Sequence, residues 1–184
     1  MPIGWHRGFF AVAAGESAER EPTHQVCKIC TRIVFAYSIQ YRPMAAPRIL
    51  LIEDSDADIH MLRVALDQQE EAYELEVLQD GEAALQFVHE HRTGVRAPEP
   101  CVILLDLHLP RYDGIAIMHA IREAPSLEHI QILVLSSQAS PRERAEIATA
   151  GAFYRTKPST LSELSELAAE VFAICKKYFP ALFV

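Results

Sequence analysis

No stretch of this 184-residue sequence stays apolar for the roughly 20 residues that a membrane-spanning helix requires. Its first residues also lack the charged, apolar, small-residue order of a secretory signal. Neither membrane insertion nor export is indicated, and a soluble, cytoplasmic protein is the expectation. A basic stripe is missing too: the formal charge is −8, with 17 Lys and Arg against 25 Asp and Glu. Nucleic-acid binding relies on clustered cations to displace counterions, so this balance argues against it. Cysteine is sparse, four in all, too few for a disulfide scaffold in a chain this long. Cys27 and Cys30 form a lone CxxC with His24 nearby, and no second pair completes a four-ligand zinc site. Cys101 and Cys175 lie in apolar patterns that suit small buried hydrophobes. No internal repeat or low-complexity segment is present.

Half of the residues are hydrophobic and 23% are charged, enough for one well-buried domain with some length to spare. Residues 1–43 show no sustained periodicity beyond a short apolar stretch at Ile29 to Ile39. They are expected to form a flexible extension, or sequence added by a start codon placed too early, with the folded unit at residues 44–184. From there the pattern alternates. Arg48 to Ile52 is a buried strand that stops at Glu53-Asp54-Ser55-Asp56. A helix follows, with Ile59, Leu62, Arg63 and Leu66 near one face and Ser55 or Asp56 as its cap. Tyr73 to Leu78 reads as a strand and Glu82 to His91 as a helix with Ala84, Leu85 and Val88 inward. Arg92 to Pro100, with one Gly and two Pro, reads as irregular.

Cys101 to Asp106 is an apolar run ended by an acid, the signature of a central strand covered on both faces. Pro110 blocks further pairing, and Asp113-Gly114 opens a helix to about Glu123. Ile130 to Leu135 is a fourth strand delivering Ser136. Ser140-Pro141 starts a helix that Gly151 ends in a left-handed cap. Ala152 to Thr156 is a fifth strand delivering Lys157. Ser159 or Thr160 caps a last helix with an apolar stripe at Leu161, Leu164, Leu167, Ala168, Val171 and Cys175, followed by a short apolar tail.

Five strands alternating with helices imply an α/β fold, a doubly wound parallel sheet with right-handed crossovers. In such sheets ligands bind beyond the carboxyl ends of the strands, and that is where Glu53, Asp54, Asp106, Ser136 and Lys157 all fall. Each has a purely structural use when taken alone: the acids as helix caps, Ser136 as a turn former, Lys157 as a surface cation. Together they suggest chemistry. Three converging carboxylates repel one another unless a cation joins them, and hard oxygen donors suit Mg²⁺. A carboxylate such as Asp106 can act as a nucleophile toward phosphorus and form an acyl phosphate. Lys157 and Ser136 then offer a positive charge and a hydroxyl to the phosphoryl oxygens.

Residues from about Arg48 to Tyr178 resemble the receiver domain of two-component response regulators. The motifs that carry the likeness are Leu-Ile-Glu-Asp at 51–54, Leu-Leu-Asp-Leu-His-Leu-Pro at 104–110 with Asp113-Gly114, Leu-Ser-Ser at 135–137, and Lys157-Pro158. The resemblance implies a flavodoxin-like (βα)5 sheet of order 2-1-3-4-5. It implies Asp106 as phosphoacceptor, and Mg²⁺ held by Glu53, Asp54, Asp106 and the main-chain carbonyl of His108. It further implies Ser136 and Lys157 as phosphate-binding residues and Tyr154 as the aromatic that reports the switch, although the Gly151 to Lys157 segment is one residue shorter than in many receivers. The face of the fourth helix, fifth strand and fifth helix would change for protein partners, while His108 and Gln138 would tune loss of the phosphoryl group. The Pro-Arg-Tyr-Asp-Gly segment, the doubled serine and the length before the third strand resemble small stand-alone regulators that accompany phytochrome-type and other sensor histidine kinases.

The expected partners are such a kinase or a phosphotransfer protein, an output protein, and a second copy if the apolar tail packs between subunits as a homodimer. No output domain follows the last helix in this reading. Two alternatives stand beside it: a degenerate receiver that only docks, and a phosphatase with an aspartate nucleophile. The phosphatase reading wants a second acid two residues after the first, where this chain has His108.

Overall fold

The computed structural model describes residues 46–95 and 99–183, within the unit Met44–Val184. Expectations for residues 1–43, including the Cys27, Cys30 and His24 group, lie outside the described residues. Strand β1 (Arg48–Ile52) leads to α1 (Asp56–Asp67), then β2 (Glu74–Leu78) and α2 (Gly81–Thr93). Next come β3 (Val102–Asp106), the two-residue strands β4 (His108–Leu109) and β5 (Tyr112–Asp113), and α3 (Gly114–Arg122). The chain continues through β6 (Gln131–Ser136), α4 (Pro141–Thr149), β7 (Phe153–Thr156) and α5 (Leu161–Tyr178), and closes with a 3-10 turn at Pro180–Leu182.

The main sheet is parallel, in the order β2-β1-β3-β6-β7. Its principal strands therefore follow the 2-1-3-4-5 order implied by the family resemblance, in a flavodoxin-like (βα)5 fold. Side chains alternate across a strand, and the strand residues sort accordingly. Leu50, Ile52, Ile103 and Leu105 pack beneath α2 and α3 with Phe87, Ile117 and Ile121. Ile49, Leu51, Val102 and Leu104 pack beneath α1 and α5 with Leu62, Leu66, Leu167 and Val171. Both faces are covered, which is why the central strands read as unbroken apolar runs.

Every helix on the sheet has a side-chain cap. Ser55, Asp80 and Asp113 accept backbone N–H groups at the starts of α1, α2 and α3. Ser140 with Glu143, and Thr160 with Glu163, form reciprocal capping boxes on α4 and α5. Thr160 and Ser55 thus take the caps for which two candidates stood side by side in the sequence. Gly151 adopts φ 65, as a left-handed cap requires.

Four local expectations are corrected. Helix α2 continues through Thr93, two residues into the segment read as irregular, because the stop is Gly94 at φ 70 rather than the prolines beyond it. Leu85 is 38% exposed, and the inward positions are Ala84, Phe87, Val88 and His91, since the helix starts at Gly81 and sets that phase. Arg63 and Leu161 also face outward, Leu161 as the first residue of α5. Pairing does not stop at Pro110. Pro110 and Arg111 form the turn of the small β4–β5 hairpin, with Leu109 opposite Tyr112 and Arg111 at φ 64. Proline at the turn removes no ladder hydrogen bond, so the strands resume on either side. The end of the chain folds back, with Phe179, Leu182 and Phe183 against the α1–α5 side of the core.

Candidate functional site

The site forms where β1, β3, β6 and β7 end on the same edge. Continued parallel pairing fixes it: the Glu53 N–H donates to the Leu78 carbonyl, and the Lys157 N–H donates to the Ser136 carbonyl, both at 3.0 Å. Glu53 is 2% exposed, Asp106 5% and Ser136 fully buried, while Asp54 faces solvent. Ligand atoms of Glu53, Asp54 and Asp106 lie within 4.8 Å of one another.

Lys157 reaches into this acidic group. Its Nζ stands 2.9 Å from Glu53 Oε2, 2.9 Å from Asp106 Oδ2 and 2.6 Å from Asp58 Oδ2. Asp106 Oδ1 accepts the His108 N–H at 3.0 Å, and Glu53 Oε1 accepts the Ser55 N–H at 3.1 Å. Burial raises the Glu53 pKa above its ordinary value, against the hydrogen bonds from Lys157 and Ser55, and the Asp106 charge pushes the same way as burial. For Lys157 burial acts to lower the pKa, but hydrogen bonds to Asp58, Asp106 and Glu53 outweigh it and the net shift is upward. The cluster thus carries more negative charge than one ammonium neutralises.

Ser136, although at the expected place, turns its hydroxyl toward the β6–α4 loop. Its Oγ donates to the Gln138 carbonyl at 2.6 Å, accepts the Gln138 N–H at 3.2 Å and lies 3.1 Å from His108 Nδ1. One hydroxyl has one proton, so with that proton on the Gln138 carbonyl, His108 Nδ1 is the donor to Oγ. The Tyr154 hydroxyl donates to the Ser136 carbonyl at 3.2 Å. Its half-buried ring lies under the Arg144 guanidinium, 4.5 Å from the centroid, and Arg144 Nε also donates to the Ala139 carbonyl. The structure therefore joins Glu53, Asp106 and Lys157 directly, with Asp54 beside them. Ser136, His108 and Tyr154 form an adjoining group.

Two residues that sequence reasoning passed over, Asp58 and Arg144, belong to this neighbourhood, together with Gly114, which was read only as a helix start and motif residue. Asp58, in the first turn of α1, contacts Lys157, a contact between distant elements that no local pattern announces. Arg144 braces Tyr154, a long-range contact with no local signature. Gly114 allows close approach: a Cβ there would lie 2.7 Å from the Leu107 carbonyl oxygen and 2.9 Å from that of Asp106.

The donor set tests well against a hard divalent cation, being three carboxylates at one strand edge with surplus negative charge and no soft ligand. Glu53, Asp54 and Asp106 could hold one, with the His108 carbonyl within the same loop. Parallel topology, a strand-edge acidic cluster and an ammonium between two buried acids define an α/β protein with a charged site at the carboxyl ends of its strands. Comparison with known proteins makes the class specific. The family model described as the response regulator receiver domain matches residues 49–169, and the chain belongs to that family. It accordingly carries a receiver domain of the kind found in two-component response regulators.

Among curated relatives, the response regulator Rcp1 of Synechocystis sp. is 38% identical over 89 residues, spanning 48% of this chain and 60% of the relative. The probable methanogenesis regulatory protein FilR2 of Methanothrix harundinacea is 31% identical over 67% of this chain and 79% of its own length. The match thus spans less than two thirds of Rcp1. Among solved structures, the phosphorylated cyanobacterial phytochrome response regulator RcpA is 30% identical with a TM-score of 0.62, over 73% of this chain and 94% of that one. The Mn²⁺-bound form of Rcp1 is 29% identical with a TM-score of 0.60, over 75% and 96%.

Proposed function

We propose that residues 44–184 act as a phosphorylation-driven switch, with residues 1–43 as an extension, and that Asp106 accepts a phosphoryl group from a sensor histidine kinase or a phosphotransfer protein. The observation that carries this is the Lys157 ammonium bridging Glu53 and Asp106 at 2.9 Å each, a fixed positive charge beside a buried carboxylate. A carboxylate oxygen of Asp106 attacks phosphorus, the donor's P–N or P–O bond breaks, and the leaving group departs with the electron pair and takes a proton from solvent. Mg²⁺ held by Glu53, Asp54, Asp106 and the His108 carbonyl would supply charge neutralisation for the phosphoryl oxygens. Lys157 compensates part of the added charge, and the hydroxyl of Ser136 exchanges Gln138 for a phosphoryl oxygen.

The switch follows from that exchange. When the Ser136 hydroxyl leaves the loop, Tyr154 and Arg144 lose the arrangement that braces them, and the surface of α4, β7 and α5 changes for a protein partner. The shift is limited to the difference in phosphate affinity between the two states. The name of RcpA, a cyanobacterial phytochrome response regulator, supports a phytochrome-type kinase as donor. Among the described residues no helix is long and apolar enough to cross a membrane. The proposed location is the cytoplasm, and a second copy of the chain is a proposed partner. The phosphatase alternative lacks its second acid, for the residue two after Asp106 is His108, whose ring is committed to Ser136.

The test is the intact mass of the full chain after incubation with Mg²⁺ and acetyl phosphate. One added phosphoryl group, absent with chelator and absent in Asp106→Asn, is expected. Rapid multiple turnover of phosphate esters, or an unchanged mass, contradicts the proposal.

A further inference from the structure

The ammonium of Lys157 has three hydrogens, and the structure commits it to three carboxylates. Two belong to the strand-edge cluster and are sealed from water: the side chains of Glu53 and Asp106 are 2% and 7% exposed. The third is different. Asp58 stands in the first turn of α1 with its side chain 46% exposed, yet makes the shortest of the contacts at 2.6 Å. A dipole-complementing acid at a helix start has no need of a lysine from the far edge of the sheet. Asp56, in the same turn, shows the ordinary case: it accepts a hydrogen bond from Gln79 at 2.6 Å and does not engage Lys157.

We infer that Asp58 is a positioning residue for Lys157, holding the ammonium in its resting place and serving as the partner given up when a phosphoryl group arrives on Asp106. The inference rests on the reading of Asp106 as the phosphoacceptor. A phosphoryl oxygen can gain an ammonium hydrogen only by displacing a carboxylate that already has it. Releasing Glu53 leaves a buried charge without its partner, which is costly. Asp106 carries the phosphoryl group itself. Asp58 alone can be released cheaply, because its carboxylate already meets water and a cleft of about 340 Å³, lined by Glu53, Asp58, Met61, Lys157 and Leu164, opens beside it. The contact therefore opposes phosphorylation: it competes for the cation that the phosphoryl group needs.

The experiment compares the full-length wild type with Asp58→Asn, Asp58→Glu and Asp56→Asn. For each, the rate of mass gain with Mg²⁺ and acetyl phosphate is measured, then the phosphoryl half-life after donor removal. Asp58→Asn is expected to raise both by about two- to fivefold, the range that an exposed ion pair supplies. Asp58→Glu returns them toward wild type. Asp56→Asn removes the same charge from the same helix turn and leaves them unchanged. In metal-free protein, the ¹⁵N signal of the Lys157 ammonium is expected to exchange slowly in wild type and Asp56→Asn and to broaden in Asp58→Asn, a readout independent of phosphorylation. Wild-type behaviour of Asp58→Asn, or an equal effect of Asp56→Asn, overturns the inference while leaving the phosphoacceptor reading intact. A wild type that takes up no phosphoryl group removes both.

Discussion

At the scale of single residues, Lys157 decides the state of the site. Its side chain is 19% exposed and lies between two acids that water barely reaches. Removing one partner of such a group leaves uncompensated buried charge, so Lys157→Met is expected to destabilise the metal-free protein by about 2–4 kcal/mol. Urea unfolding checks this, and Mg²⁺ should recover part of the loss because a bound cation replaces the missing charge. A variant as stable as wild type without metal would show that the acids are not held together by Lys157. Glu53, Asp54, Asp106 and Ser136 were legible in the sequence because they close apolar runs, and Lys157 because it follows a short strand and precedes Pro158, so that all fall at strand tips. Asp58 and Arg144 were not. Their partners lie on other elements, and neither hydrophobic period nor capping chemistry encodes a contact across the sheet.

At the scale of elements, the side of the molecule opposite the site depends on one side chain. Arg122, at the end of α3, donates to the carbonyls of Ala150 and Ile130 at 2.8 Å, Glu128 at 3.1 Å and Gly151 at 3.2 Å. It ties the start of β6 to the turn that enters β7. Arg122→Met should cost about 2–4 kcal/mol through carbonyls left without a charged donor. Arg122→Lys should recover little, since a point charge cannot span a planar fork's partners; a full rescue in thermal melts would refute the clamp.

The start of α5 offers a pH test. The Ser159 N–H, the Ser159 hydroxyl and the Thr160 N–H hold the Glu163 carboxyl below its ordinary 4.5. A depressed carboxyl stabilises the fold fully above its unfolded value, and this contribution is lost as pH falls through the folded one. Amide exchange at Ser159 and Thr160 should therefore accelerate, beyond its intrinsic pH trend, on acidification below pH 4.5, and Glu163→Gln should abolish that dependence. Helix starts such as this were readable because a capping box is a local four-residue pattern. The β4–β5 hairpin was not readable: two-residue strands have no period, and Pro110 looked like a terminator when it was a turn.

For the whole molecule, strand and helix alternation was enough to indicate the parallel sheet, since a buried strand and an amphipathic helix have different periods. The strand order came from family resemblance and the register pairs agree with it. What no pattern along the chain could specify was the arrangement within the site, in which the Ser136 hydroxyl is turned to Gln138 and Lys157 is shared among three acids. In the proposed function that arrangement is the resting form. The central claim is that the carboxylate of Asp106 becomes an acyl phosphate, and chemical trapping tests it most directly. Protein treated with Mg²⁺ and acetyl phosphate is reduced with borohydride, which converts an acyl phosphate to an alcohol, and is then digested and mapped. Homoserine in place of aspartate at position 106, with Asp54 and Asp58 unaltered, is the predicted result. Reduction at another acid, or at none, would contradict the account.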